Sequence, residues 1–200
     1  MSAFANRDAF EDPRNRLRAM GTNMSAARAI VDHAGNVVAR PSTGGMLVVS
    51  RIELHPGTTL YRFGGSQVPP LEVAKGEWWI AKSEFERLVS FANSNDICVG
   101  LAMRLLCLVP PEWTDAGWLV RARVARSVLA WRGLGNSVVT PMTKGGGTVN
   151  MPHQNAISER RLHQLFVPGL RDVEPHNPAI TVQQVFRLDP AEGSRGFLYL

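Results

Sequence analysis

Five histidines, two cysteines and a scatter of arginines, tryptophans and glutamines are the side chains from which a reactive site could be built in this chain. His33, His55, His153, His163 and His176 stand in no close zinc-type spacing with Cys98 or Cys107, so no metal is expected. The glycine-rich pieces GGSQ at Gly64 and KGGGT at Lys144 match neither a phosphate-cradling loop nor a dinucleotide fingerprint. No nucleophile elbow is present, although a triad assembled from distant positions stays open. What stands out is an ordered series. Tyr61, Arg62, Phe63 and Gly64 lie in an early extended run, the pair Trp78 and Trp79 precedes Ser83, and a late segment, HQLFVPG, carries Gln164.

The elements that must position these residues can be read from pattern. Met46 to Leu54, MLVVSRIEL, is rich in β-branched residues, and Thr58 to Phe63 resumes an extended pattern after His55, Pro56 and Gly57, which predicts two adjacent strands. Ser83 followed by Glu86 forms a capping-box pattern, with Phe85, Leu88, Val89 and Ala92 at helical spacing behind it, so a helix is expected to start at Ser83. Ile97 to Leu108 reads as a buried helix ended by Pro110 and Pro111. From Trp118 the order alternates, placing Arg121 and Arg123 opposite Val120, Ala122 and Val124, as a strand would. Val128 to Trp131 is expected to continue the sheet, and Gly133, Gly135 and Gly145 to Gly147 to mark a flexible stretch. Further strands are predicted at Ile180 to Leu188 and Gly196 to Leu200, and a short helix around Met24 to His33. Strands interrupted by two helices, without alternating βαβ units, predict an α+β fold with mostly antiparallel sheets.

Composition bounds the class. Two hundred residues with 44% hydrophobic content suit one core, placed at 46–200, with 1–45 expected as an N-terminal extension or loosely packed lead-in. Two cysteines nine residues apart in an apolar stretch read as buried thiols rather than a disulfide scaffold. The first residues lack the apolar run of a secretory signal, and Ile97 to Pro111 is too short to cross a bilayer. The expectation is a cytoplasmic chain, or one delivered by a specialised secretion system, with no membrane partner. A net charge of +5 favours encounter with nucleic acid, anionic surfaces or phosphate-bearing ligands without selecting among them.

Taken in order, the series resembles the ADP-ribosyltransferase-like superfamily, over about Thr58 to Leu188. PGTTLYRFGG looks like the opening strand of NAD glycohydrolase toxins of the necrotizing-toxin type, and VLAWRGLG followed by GGGT is similar to their later glycine-rich segment. The match departs after GGGT, where Val149 and Asn150 stand and Gln154 comes later than the family's catalytic glutamine. HQLFVPG places Gln164 where transferase-like members carry a carboxylate, so Gln164 is the first choice for the catalytic position, with Gln154 and Glu159 as rivals.

The resemblance implies a bacterial toxin or effector that consumes NAD as substrate, without a metal, by hydrolysis or by transfer to a macromolecular acceptor, and that meets an inhibitory partner protein. It implies that Arg62 binds pyrophosphate through forked hydrogen bonds, that Tyr61, Gly64, Trp78, Trp79 and Ser83 complete the NAD site, and that Gln164 positions the ribose. A glutamine cannot act as a general base, which favours hydrolysis over transfer to a weak nucleophile. Each residue also has a plainer reading: Arg62 as the outward position of a strand, the tryptophans as core, Ser83 as a helix cap. Two other classes compete. One is a nucleic-acid-binding domain using Arg121, Arg123, Arg126 and Arg132 on phosphates, and the other an interaction module without enzymatic activity.

Overall fold

The computed structural model describes residues 4–21, 30–31, 34–39, 44–142, 147–171, 173 and 176–191. In chain order the elements are helices α1 (Arg7–Glu11) and α2 (Pro13–Ala19), strands β1 (Ile30–Val31), β2 (Val37–Ala39), β3 (Met46–Leu54) and β4 (Thr59–Gly64), helix α3 (Pro70–Val73), strand β5 (Trp78–Ala81) and helices α4 (Lys82–Ser94) and α5 (Val99–Cys107). Strands β6 (Trp118–Val124), β7 (Val128–Gly135), β8 (Val138–Pro141), β9 (Thr148–Met151), β10 (His163–Phe166) and β11 (Ile180–Arg187) follow. The expected α+β class with mostly antiparallel pairing is what the chain adopts.

One seven-stranded sheet, in the order β11-β6-β4-β5-β10-β7-β3, organises the molecule, and β1-β2 and β8-β9 are separate two-stranded ribbons. The alternating pattern of β6 holds over its second half, where Val120, Ala122 and Val124 are buried, Arg123 is exposed and Arg121 is half-buried, while Leu119 on the arginine face is buried as well. Leu60, Trp79, Val120, Ala122, Val128, Ala130 and Leu165 form the largest core cluster. A second cluster joins Ile80 to α4 and α5 through Leu88, Ala102, Met103 and Leu106, with Phe63 and Phe85 against it.

Several local expectations are corrected. β3 and β4 follow one another in sequence but are not neighbours, because β3 pairs with β7 at one edge while β4 lies between β5 and β6. Gly133 and Gly135 are part of β7 rather than of a flexible loop. At Gly133 the reason is close approach: a Cβ there would lie 2.7 Å from the Leu47 carbonyl, where β3 carries an irregular register and Val48 takes φ 49°. The helix over Met24 to His33 falls mostly outside the described residues, and its described part, Ile30–Val31, is a strand. The expected edge at Gly196 to Leu200, and Gly145 and Gly146, also lie outside them.

Residues 4–20, read from sequence as part of a lead-in, pack on the sheet. Asn6 is 4% exposed; its Nδ2 donates to the carbonyls of Leu129 and Pro168, both at 2.9 Å, and its Oδ1 accepts from the Leu129 amide at 2.8 Å. Phe10 stacks on Trp131 at 4.4 Å. Apolar spacing in a 5-residue helix is too brief to be recognised as periodicity, which is why this docking was not visible in the pattern.

Candidate functional site

A cavity of about 540 Å³ opens beside the central strands, and the side chains that border it come from β4, β5, β10, the end of α5 and the loop that follows it. This volume lies within the range typical of small-molecule sites. Of the residues singled out in the sequence, Tyr61, Arg62, Gly64, Trp78, Trp79 and Gln164 all border it. Ser83, Gln154 and Glu159 do not. Sheet order explains the convergence: β5 sits between β4 and β10, so residues about 100 positions apart in sequence become neighbours.

Arg62 occupies the place where β4 and β5 part. The two strands pair at Leu60↔Ala81 and Tyr61↔Ile80, and beyond this Arg62 Nη1 donates to the Trp78 carbonyl at 2.5 Å. Its Nε is buried without a hydrogen-bond partner among the described residues. Burial draws the guanidinium down to about 10, partly offset by the nearby Glu77 carboxylate, so it is still charged at neutral pH. Gly76 makes room for it, since a Cβ there would fall 2.0 Å from Nη2.

Gln164 is 8% exposed, and its Nε2 donates to the Cys107 carbonyl at 3.0 Å. Cys107 ends α5, where carbonyls lose their intrahelical partners, and Leu108 turns the chain away with φ 55°. The amide nitrogen therefore has a structural duty. Trp78 is half-buried and meets Phe166 edge-on at 5.1 Å, which makes it the better flat wall of the pair. Trp79 is 1% exposed and donates its indole N–H to the Gly76 carbonyl at 2.8 Å, as a core residue does. Tyr61 stacks on Phe85 at 3.9 Å, and Gly64 lets Val73 of α3 approach β4.

The expected cap at Ser83 is not formed. β5 runs directly into α4, which begins at Lys82 with Ala81 in the cap position and no side-chain cap, and Glu86 pairs with Lys82 instead. Gln154 and Glu159 lie outside the cavity: Gln154 accepts from Arg160, and exposed Glu159 accepts from Ser158 at 3.0 Å. Glu159 is held below the usual carboxylate value of 4.5, first by its own backbone amide and then by the Ser158 hydroxyl.

Other bordering residues carried no sequence signal. Arg18 of α2 reaches the cavity over the Phe166 ring at 5.4 Å and pairs with Glu77. Trp113 and Thr114 belong to the loop after α5, which fully buried Arg104 holds by donating to the Thr114 carbonyl at 2.8 Å. Asp115 anchors the same loop to Ser66 by accepting from its amide at 2.7 Å and from its hydroxyl. Asn136 adds a further polar group. The result is a mostly apolar hollow with two guanidinium groups and a few amides and hydroxyls, a chemistry suited to an anion bearing flat ring systems.

Among the arginines considered for nucleic-acid contact, Arg121 donates to Gln184 at 2.9 Å, Arg126 to the Asn177 carbonyl at 2.9 Å and Arg132 to Glu84 at 3.2 Å. Cys107 is buried, and burial together with the Glu84 charge lifts its thiol to about 12; Cys98 is only half-buried, its sulfur accepting from the Leu101 amide at the start of α5. Among the described residues no group of three or more His, Cys, Asp or Glu is placed to hold a metal ion, and no helix is long and apolar enough to cross a membrane.

No family model matches the chain, and no curated protein matches it. Among solved structures it is similar to one described as "Rhs1-CT in complex with cognate immunity protein RhsI1", at 14% identity over 77% of this chain and 89% of that one, with a TM-score of 0.40.

Proposed function

We propose that the chain is an NAD-consuming enzyme of the ADP-ribosyltransferase-like kind, acting as an NAD glycohydrolase at the cavity between β4, β5 and β10. One observation carries the reading: Tyr61, Arg62, Gly64, Trp78, Trp79 and Gln164, from three separate segments of the chain and named through the resemblance, border a single hollow, although Ser83 does not. In this reading the dinucleotide's pyrophosphate meets Arg62, whose Nη–H groups not given to the Trp78 carbonyl supply charge-assisted hydrogen bonds. The half-buried Trp78 ring lies against the nicotinamide. Gln164, anchored by Cys107, turns its amide oxygen toward the ribose hydroxyls and holds the sugar while the C–N bond to nicotinamide breaks. Water then takes the anomeric carbon, and no side-chain general base is required of the glutamine.

Hydrolysis is preferred over transfer because Gln164 is no general base and Glu159, the carboxylate considered for the catalytic position, lies outside the cavity. A toxin or effector role, delivery by a specialised system and an inhibitory partner protein belong to the same proposal, on the resemblance alone. Purified protein incubated with NAD should release free nicotinamide and ADP-ribose. Replacing Trp78 with Ala should raise KM more than it lowers kcat. Absence of both nicotinamide release and NAD binding in a folded sample would remove the reading.

A further inference from the structure

Outside the cavity, α4, β7 and β10 bring together a carboxylate, an imidazole and two guanidinium groups. Glu84 is 7% exposed, and four donors converge on it. Oε1 accepts from Arg132 Nη2 at 3.2 Å and faces His163 Nδ1 at 3.0 Å, while Oε2 accepts from Arg87 Nη1 at 3.2 Å and from the His163 backbone amide at 3.3 Å. An ionised carboxylate only accepts, so the His163 ring, when neutral, carries its proton on Nδ1 and presents the lone pair of Nε2. No described residue is hydrogen-bonded to Nε2, and that atom is not among the buried unpartnered ones.

A network that only fastened α4 to the sheet would account for the burial of Glu84 and for nothing on its outer side. The side chains of His163, Arg132 and Arg87 are 29%, 39% and 46% exposed, and Arg87 Nη2 also donates to the Ser158 carbonyl at 3.1 Å. One carboxylate against two guanidinium groups leaves the cluster net positive, which selects an anion, and planar guanidinium N–H groups suit phosphate oxygens. A fixed imidazole base beside a phosphate site needs a hydroxyl to deprotonate. RNA carries one, the ribose 2′-hydroxyl, next to every phosphodiester, and the chain's net charge of +5 favours encounter with a polyanion.

We propose that Glu84, His163, Arg132 and Arg87 form an RNA-cleaving site, separate from the cavity and independent of the NAD reading. Nε2 of His163 takes the 2′-hydroxyl proton, the 2′-oxygen forms a bond to phosphorus, and the bond from phosphorus to the 5′-oxygen breaks. The 5′-oxygen leaves with the bonding pair and takes a proton from water; the resulting hydroxide recovers the proton held by His163. Arg132 and Arg87 face the charge that develops on the phosphoryl oxygens. Glu84 acts through His163, fixing its tautomer and orientation.

The test is an end-labelled RNA oligonucleotide incubated with the whole chain, beside a DNA oligonucleotide of the same sequence. RNA should be cut to 2′,3′-cyclic phosphate and 5′-hydroxyl ends, and DNA should stay intact. His163→Asn keeps a donor for Glu84 and removes the base, so it should melt like the parent while cleaving at least about 100-fold more slowly. Intact RNA with the parent protein, DNA cut as fast as RNA, or cleavage unchanged in His163→Asn would each overturn the assignment.

Discussion

Gln164 has a structural duty beside the chemical one proposed for it. Its nitrogen closes the end of α5 through the Cys107 carbonyl, and the residue borders the cavity. Gln164→Glu would set a carboxylate against that carbonyl, and we expect a loss of about 1–3 kcal/mol, read from urea unfolding. Asp115 gives a pH dependence. Burial pushes its carboxyl up, but the Ser66 hydroxyl, the amides of Ser66 and Gly117 and the nearby Arg104 more than reverse this, holding it below the ordinary value of 3.8. A depressed folded value means that its contribution to stability is present above the ordinary value and is lost as pH falls through the lower, folded one. Asp115→Asn should therefore flatten the part of the stability profile that declines below about pH 4, in denaturation measured from pH 5 downward. At this scale the residue types were legible, and their partners were not: nothing in the sequence near Glu84 names His163, which lies 79 positions away.

Elements decide whether Arg62 can work. β4 and β5 diverge beyond Tyr61, and the arginine fills the gap because Gly76 leaves space for it. Gly76→Ala would drive a methyl into the guanidinium, so NAD binding should weaken at least tenfold with the thermal midpoint little changed; calorimetric titration beside a melting curve would show it. The first two helices are a second element-scale lesson. Asn6→Ala removes three hydrogen bonds that join them to β7 and to the turn after β10, and should cost on the order of 3 kcal/mol by chemical denaturation. Strands with strong alternation, such as β6, and helices with long apolar stripes, such as α4 and α5, were readable from sequence because one buried face writes a period into the chain. Short docked pieces write none, and the absence of a loop between β5 and α4 moved the helix start from Ser83 to Lys82.

The whole molecule adds what neither residues nor elements carry, namely neighbourhood. The order β4-β5-β10-β7 inserts a strand from the last quarter of the chain between two earlier ones, and this alone gathers Arg62, Trp78 and Gln164. No local pattern encodes that order, because it is settled by which faces bury best together. Charge also acts at this scale: with a net charge of +5 and Arg18 and Arg62 at the cavity, added salt should raise KM for NAD while leaving kcat unchanged. NAD cleavage at the cavity, as proposed, is tested by nicotinamide release from the purified chain, with Arg62→Ala and Gln164→Ala verified as folded and measured alongside. The parent should release nicotinamide, and each variant should lose at least about 100-fold of that rate. Release that survives both substitutions, or no release and no NAD binding by the folded parent, would contradict the proposal.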